Sequence, residues 1–199
     1  MTKVLGLTGG IASGKSTVSN YFKEQNIPVV DADLVAREVM RAGQPVVAKV
    51  EDYFGDEVIQ ADGEIDREKL GQIVFGDADK RKQLDRIVRD EIAKKIKRES
   101  DELKAANHPL IVLDIPLLIE GNYHDEVDKI MVIYVDEATQ KERLMNRNTE
   151  LSEEDAQNRI DAQMPLDQKT KQADVLIDNN GTIEETLKQV GDWLETALD

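Results

Sequence analysis

The sequence predicts an α/β fold in which helices cover a parallel β-sheet. Short apolar segments rich in β-branched residues alternate along the chain with helical segments, and this alternation is typical of that fold class. The apolar segments are nearly continuous, as expected of strands that are buried on both faces. At 199 residues the chain is long enough to bury the core of one domain.

Five strands and three helices can be placed in chain order. The strands are expected at residues 4–8, 27–30, 110–113, 130–135 and 175–177. Residues 16–23 have room for a first helix, and apolar residues recur at spacings of three and four along residues 84–96 and 183–198. Thr182 and Glu185 have the spacing of a capping box and mark the start of the last helix.

Two segments depart from the alternation. Residues 34–108 contain no evident strand and predict a helical block, which is longer than an ordinary crossover between strands. Residues 143–171 are polar and charged, with a short helix signalled by the box from Ser152 to Asp155, and they predict a lid-like insertion. We therefore expect a single domain whose core comprises about residues 1–33, 109–142 and 172–199.

The composition limits the classes of ligand. The formal charge of −15 weighs against nucleic acid, because lysine and arginine supply most of the affinity for phosphate backbones. No apolar run approaches the length of a membrane span, and the first residues lack the features of a secretory signal. The absence of cysteine excludes disulfides and thiolate metal sites and suits a reducing compartment. We expect a cytoplasmic protein that acts on small molecules.

The stretch VLGLTGGIASGKST, residues 4–17, predicts a site for a nucleoside triphosphate such as ATP. Gly9, Gly14, Lys15 and Ser16 satisfy the pattern G-x-x-x-x-G-K-[ST], between a predicted strand and a predicted helix as that motif requires. Glycines let backbone N–H groups approach phosphate oxygens, and the helix adds free N–H groups and its dipole. Lys15 can reach the β and γ phosphates, and the hydroxyl of Ser16 can bind Mg²⁺. The expected ATP-binding residues of this phosphate loop are Gly10, Ile11, Ala12, Ser13, Gly14, Lys15, Ser16 and Thr17.

Carboxylates follow the second and third predicted strands. Asp31 and Asp33 lie in the stretch DADLVAR, at the carboxyl end of a parallel strand, where ligands bind in such sheets. In an extended segment both side chains share a face, and the alternative is that one of them caps the following helix. We expect Asp33 to orient or deprotonate an acceptor hydroxyl with the support of Asp31, and Arg37 to bind substrate. Asp114 follows four apolar residues and has the setting of a Walker-B-type carboxylate that holds Mg²⁺ beside Ser16.

Arginines in the predicted lid suggest a cationic surface for phosphate. Arg143 and Arg147 are four residues apart and share one face of a helix. Over a transferring phosphoryl group, they would stabilise its charge, and we assign Arg143 to catalysis and Arg147 to ATP binding. The alternative is a solvated face on which they pair with Glu142 and Glu150.

These parts favour a kinase without identifying its acceptor. A GTPase would need an N-K-x-D stretch, which the chain lacks. A nucleoside monophosphate kinase would need the same parts in the same order, and a regulatory P-loop protein would use the lid arginines to bind a partner. The DAD stretch favours a hydroxyl acceptor, because a phosphate acceptor is already ionised and needs arginines instead of a base.

The stretches LTGGIASGKSTV, VVDAD, DREKLGQIVF, DIPLLIE, TQKERLMNR and ADVLIDNNGT together resemble bacterial dephospho-coenzyme A kinases, from about residue 3 to residue 190. The resemblance implies ATP-dependent phosphorylation of the ribose 3′-hydroxyl of dephospho-coenzyme A, the last step of coenzyme A synthesis. It also implies an adenylate-kinase-like layout, with a P-loop NTPase core, the helical block as coenzyme-A-binding part, and a lid. Where many members have histidine and proline, this chain has Arg89 and Asp90.

The same resemblance implies roles for individual residues. Residues 12–17 match the phosphate loop of the family, and Thr8 matches its threonine before the glycines, which we assign to substrate binding. Arg143 matches a lid arginine. Asn179 and Asn180 fall in a segment that the resemblance places near the adenine of ATP.

Overall fold

The computed structural model of the chain describes residues 2–198 and contains a five-stranded sheet with the strand order β2-β3-β1-β4-β5. The strands are β1 (Lys3–Gly9), β2 (Val29–Asp31), β3 (Leu110–Asp114), β4 (Lys129–Tyr134) and β5 (Val175–Asp178). Strand β1 pairs in parallel with β3 and β4, and β4 pairs in parallel with β5. The predicted α/β fold with a parallel sheet is therefore confirmed.

Nine α-helices connect and cover the strands in the described part of the chain. They are α1 (Lys15–Glu24), α2 (Ala32–Val39), α3 (Pro45–Phe54), α4 (Arg67–Phe75), α5 (Ala78–Ala105), α6 (Glu137–Arg147), α7 (Glu153–Asp161), α8 (Leu166–Lys169) and α9 (Ile183–Leu198). The capping box predicted before α9 is present, because Glu185 N–H donates to Thr182 Oγ1 and Thr182 N–H donates to Glu185 Oε2. Within residues 2–198 no helix combines the length and the apolar character needed to cross a membrane.

Helices α1 and α9 pack against the sheet and enclose an apolar core with it. The ring of Phe22 is fully buried there and makes an edge-to-face contact with Trp193, at a centroid distance of 6.3 Å. Buried residues of this core come from both helices and four strands: Leu5, Leu7, Val18, Phe22, Leu110, Val112, Met131, Ile133, Ile177, Val190 and Leu194. This packing holds β1 in the middle of the sheet, so the loop that follows β1 begins on a rigid base.

The chain divides into two compact units. One comprises residues up to 30 and from 102 onward, and the other comprises residues 31–101. The first unit contains β1, β3, β4, β5 and the expected lid, whose helix α7 is capped at its start by Ser152 as predicted. The second unit overlaps the expected helical insertion and contains α2, α3, α4 and most of α5. Its described residues also include one isolated antiparallel bridge, between Ile59 and Ile65.

Candidate active site

Three parallel strands bring candidate residues to one edge of the sheet. Asp114 ends β3 and stands opposite Leu7, two residues before the end of β1. Asp178 ends β5 and stands opposite Tyr134, whose carbonyl oxygen accepts a hydrogen bond from the N–H of Asn179 at 2.8 Å. The phosphate loop, the carboxylate of Asp114 and the segment after β5 therefore lie at the carboxyl edge, where ligands bind in parallel sheets.

The phosphate loop has the backbone conformation that its glycines predict. Gly14 has a φ of 91°, which L-residues rarely adopt, and Ala12 also has a positive φ of 58°. A Cβ atom on Gly14 would lie only 2.0 Å from Nδ2 of Asn179. Any side chain at residue 14 would therefore displace Asn179 or unfold the loop.

Helix α1 begins after a glycine and has no side-chain cap, and α3 and α8 also lack one. Its N-cap residue is Gly14, and no side chain accepts a hydrogen bond from its first turn. Six other helices are capped by carboxylate or hydroxyl oxygens, those of Asp31, Asp66, Asp77, Asp136, Ser152 and Thr182. The N–H groups at the start of α1 are therefore available to an external anion, and the helix dipole favours one there.

Lys15 and Asp114, which we expected to bind phosphate and metal, are in contact. The ammonium group of Lys15 forms an ion pair with Oδ1 of Asp114. Both side chains are shielded from solvent, with exposed fractions of 16% for Lys15 and 4% for Asp114. Screening by water is weak in such a position, so the electrostatic interaction of either group with a bound phosphate or cation is strong.

The residues present fit a magnesium ion that is shared with a nucleotide. Asp114, at the end of β3, and Ser16, in the first turn of α1, carry side-chain oxygens, the ligands that Mg²⁺ prefers. The described residues contain no group of three or more acidic, histidine or cysteine side chains suited to a metal. Two oxygen donors from the protein would leave most of the octahedral shell of Mg²⁺ to phosphate oxygens and water.

The predicted lid arginines make no ion pair within residues 2–198. Arg143 and Arg147 lie in the last turns of α6, and Arg143 is half-buried while Arg147 is exposed. Neither makes an ion pair with Glu142, Glu150 or any other residue that the structure describes. The alternative interpretation of a solvated face held by ion pairs is thus not what the structure shows. Two cationic side chains remain available to an anionic ligand.

The carboxylate pair after β2 differs from the prediction. Strand β2 ends at Asp31, whose Oδ1 accepts hydrogen bonds from the N–H of Asp33 at 3.0 Å and of the next residue at 3.1 Å. Asp33 lies in the first turn of α2, so the expected strand alternation is wrong and Asp31 is the helix cap. Asp33 and Arg37 are exposed one helical turn apart. Arg89 and Asp90 are exposed on α5 in the same unit.

Thr8, which we assigned to substrate binding, has no exposed surface. Its side chain is completely buried, and its hydroxyl donates a hydrogen bond to the carbonyl oxygen of Pro116 at 2.9 Å. A buried hydroxyl that is already hydrogen-bonded cannot reach a ligand in this conformation. In this conformation Thr8 connects β1 to the turn that follows Asp114.

Asn179 and Asn180 also use their side chains within the protein. Asn179 is buried and donates from Nδ2 to the carbonyl oxygen of Ser13 at 2.7 Å, while its Oδ1 accepts from the hydroxyl of Thr186 at 2.6 Å. Asn180 accepts at Oδ1 from the N–H of Asp136 at 3.0 Å, at the start of α6. Ser13 is itself fully buried. In this conformation Asn179 and Ser13 maintain the shape of the phosphate loop.

Two glutamines that the sequence analysis missed hold the phosphate loop at Ile11. Nε2 of Gln140, on α6, donates to the carbonyl oxygen of Ile11 at 2.7 Å, and the N–H of Ile11 donates to Oε1 of Gln163, in the lid, at 2.9 Å. The N–H of Ile11, expected to bind phosphate, is therefore already used. Ile11 and Ala12 also pack against the small apolar core of the lid: Leu144, Ala156 and Ile160. No motif marks such glutamines in a sequence.

Comparison with known proteins gives consistent matches over nearly the whole chain. The family model described as dephospho-CoA kinase matches residues 3–185. The dephospho-CoA kinase of Shouchella clausii is 52% identical over 96% of each chain. That of Enterococcus faecalis is 48% identical over 100% of this chain and 98% of its own. The solved structure of the Campylobacter jejuni dephospho-CoA kinase is 27% identical, with a TM-score of 0.74 over 99% of this chain and 98% of that one.

Proposed function

The chain belongs to the dephospho-CoA kinase family, and on that premise we propose which of its residues carry out the reaction. It is an ATP-dependent kinase that transfers the γ-phosphoryl group of ATP to the ribose 3′-hydroxyl of dephospho-CoA, giving CoA and ADP in the last step of coenzyme A biosynthesis. The residue roles that follow are proposals, each supported by a contact or an exposure described above.

The phosphate loop binds the triphosphate of ATP. The observation that carries this assignment is the start of α1 at Gly14, whose positive φ and lack of a side-chain cap leave the first N–H groups of the helix without a side-chain acceptor. The N–H groups of Gly14, Lys15 and Ser16 point to the phosphates, and the helix dipole adds to their attraction. Ser13 and Ile11 contribute by fixing the loop, since their own backbone groups are held within the protein.

Lys15 and Asp114 have opposite charges and different ligands: Lys15 binds phosphate, and Asp114 would hold the metal. Lys15 exchanges Asp114 for the β and γ phosphates of ATP, and Asp114 and Ser16 are the residues that would hold Mg²⁺. Bound there, Mg²⁺ supplies positive charge to the phosphoryl group in transfer. The ion pair between Lys15 and Asp114 supports this exchange, because either side chain keeps a partner of opposite charge in both states.

Asp33 aligns the 3′-hydroxyl of the acceptor and accepts its proton. Its carboxylate is exposed in the first turn of α2, and the cap from Asp31 fixes the backbone that carries it. Arg37, one turn further along and also exposed, binds an anionic group of the substrate. A hydroxyl acceptor requires such a base, whereas a phosphate acceptor would not.

The lid arginines stabilise the charge of the transferring phosphoryl group. Arg143 and Arg147 have no carboxylate partner among the described residues, so they bind phosphate oxygens without first breaking an ion pair. The lid also excludes water, which would otherwise compete with the acceptor. Catalysis then consists mainly of in-line positioning and electrostatic stabilisation.

The charge and composition support small-molecule substrates and a cytoplasmic location. A formal charge of −15 repels nucleic acid, while the cationic groups of Lys15 and Arg143 are confined to the site. The absence of cysteine suits a reducing compartment.

The residue roles are tested by the kinetics of two variants, in each of which a neutral amide replaces a carboxylate. Asp33→Asn should lower kcat by a factor of about 100 to 10,000, the usual contribution of a positioned base, without weakening ATP binding. Asp114→Asn should raise the Mg²⁺ concentration required for half-maximal rate. Asp52→Asn, an exposed carboxylate on α3, is the control and should behave as the wild type. Normal turnover by Asp33→Asn would reject the base assignment.

A further inference from the structure

Lys169 is a buried cation to which the reaction scheme above gives no role. Its side chain is completely buried, whereas every other lysine and arginine of residues 2–198 is at least partly exposed. Removing an ammonium group from water is unfavourable unless the group is paired and fully hydrogen-bonded. The partners of Lys169 therefore indicate its purpose.

The ammonium group of Lys169 has three acceptors, as many as it has N–H groups. It donates to the carbonyl oxygen of Pro116 at 2.9 Å and to that of Gly9 at 3.3 Å. It also pairs with Oε1 of Glu120 at 3.0 Å. A compact ammonium with three donors can satisfy three acceptors in different directions, which no neutral side chain of the same length can do.

These acceptors belong to parts of the site that have separate functions. Gly9 is the last residue of β1 and the first glycine of the phosphate loop. Pro116 follows the end of β3, two residues after Asp114. Lys169 itself is the last residue of α8, in the segment by which the lid returns to the sheet. One side chain of the lid therefore contacts both the start of the phosphate loop and the turn after Asp114.

Neighbouring contacts extend this connection. Oε1 of Glu120 also accepts a hydrogen bond from the N–H of Met164, in the lid, at 3.2 Å. The carbonyl oxygen of Pro116 also accepts from the hydroxyl of Thr8, on β1, at 2.9 Å. The second oxygen of Glu120, Oε2, is buried and has no hydrogen-bond partner among the described residues. The charge of this carboxylate is thus balanced by Lys169.

We propose that Lys169 is a positioning residue, which fixes the phosphate loop and the turn after Asp114 relative to the lid through the carbonyl groups of Gly9 and Pro116. This inference rests on the roles proposed above for the phosphate loop, Asp114 and the lid arginines. Lys169 acts on catalysis indirectly, because it sets the positions of the reacting groups. A displacement of these groups by about 1 Å, even from a distant change, can lower a rate about 100-fold.

The first test replaces the ammonium group while keeping the length of the side chain. Lys169→Met should lower kcat about 10- to 100-fold, with an unchanged KM for dephospho-CoA, because the acceptor side is not altered. Lys171→Met is the matched control, since Lys171 is two residues away and exposed, and it should keep the wild-type kcat. A wild-type kcat for Lys169→Met would overturn the proposal.

The second test separates positioning from stability. Lys169→Met leaves the partly buried carboxylate of Glu120 without its cation, so the variant loses stability for that reason alone. The double variant Lys169→Met with Glu120→Met removes both charges and should recover part of the loss in thermal midpoint, because no unpaired charge remains, although the carbonyl group of Gly9 and the N–H of Met164 still lack their partners. If Lys169 positions the site, kcat of the double variant stays low.

Recovery of both the thermal midpoint and kcat by the double variant would show that the pair serves folding alone and would overturn the proposal. Failure of the double variant to fold would have the same meaning. The wild-type enzyme, assayed alongside with dephospho-CoA, keeps the two questions separate. If the wild type does not phosphorylate dephospho-CoA, the proposed function fails, whereas an active wild type with an equally active Lys169→Met rejects only the role of Lys169.

Discussion

Replacing Asn179 by alanine distinguishes a residue that supports the phosphate loop from one that contacts adenine. In the structure Nδ2 of Asn179 donates to the carbonyl oxygen of Ser13 at 2.7 Å, and Oδ1 accepts from the hydroxyl of Thr186 at 2.6 Å. Asn179→Ala removes both contacts. Thr186 keeps a second acceptor, the carbonyl oxygen of Thr182 at 3.0 Å, so the carbonyl of Ser13 is the group that loses its partner.

The size of the effect follows from that one buried carbonyl. A buried polar group without a partner costs about 1 to 3 kcal/mol. For a chain of this size that corresponds to a fall in the thermal midpoint of about 2 to 4 °C per kcal/mol. If all of this free energy disfavours the conformation of the phosphate loop that binds ligand, the dissociation constant of a bound triphosphate rises about 5- to 150-fold.

The assay compares two ligands that share phosphates and differ in the base. Titration calorimetry with ATP and with inorganic tripolyphosphate, both in the presence of Mg²⁺, should show the same loss of affinity for Asn179→Ala. Asn180→Ala, an exposed neighbour, serves as the control and should bind tripolyphosphate normally. If ATP binds more weakly while tripolyphosphate binds as before, Asn179 contacts the adenine and the reasoning from the loop is refuted.

Three further predictions concern charged groups. Lys15→Ala should reduce ADP release to near background, and a rate close to that of the wild type would contradict its role at the phosphates. Arg143→Ala should lower kcat by a factor of about 1,000 or more, while Arg159→Ala, exposed on α7, should leave kcat nearly unchanged. The pKa of Asp136 is lowered from 3.8 by hydrogen bonds from the N–H and the hydroxyl of Thr139, so its contribution to stability is present above pH 3.8 and is lost as the pH falls through the lower folded-state pKa. The difference in the free energy of unfolding between the wild type and Asp136→Asn, measured in urea, should therefore be larger at neutral pH than below pH 3.8. An equal difference at the two pH values would contradict this.

The strands and the phosphate loop could be predicted because their signals are local. Strands buried on both faces are continuous apolar runs, and the spacing of Gly9, Gly14 and Lys15 has one well-known structural meaning. The strand order and the register that sets Asp114 beside β1 depend on pairing between distant segments. No local pattern encodes them, although the end of a parallel strand was sufficient to place Asp114 at the correct edge.

The roles of the residues around the phosphate loop could not be predicted from the sequence, because they depend on tertiary contacts. Asp31 could extend a strand or cap a helix, and only the hydrogen bonds of its carboxylate decide between them. Lys169 and Lys171 lie in the same polar stretch, PLDQKTKQ, yet one is fully buried and the other is exposed. Thr8 was assigned by its place before the glycines, while its direction into the core followed from the packing of β1 against the turn at Pro116.

The central claim is that the γ-phosphoryl group held by the phosphate loop is transferred to the ribose 3′-hydroxyl of dephospho-CoA. It is tested most directly by coupled ADP release with dephospho-CoA, AMP, CMP or no acceptor in parallel, with mass analysis of the product. The account predicts rapid ADP release with dephospho-CoA alone, one CoA formed per ADP, and rates near background in the other three reactions. Equal rates across the four reactions, or ADP release from dephospho-CoA without CoA, would contradict it.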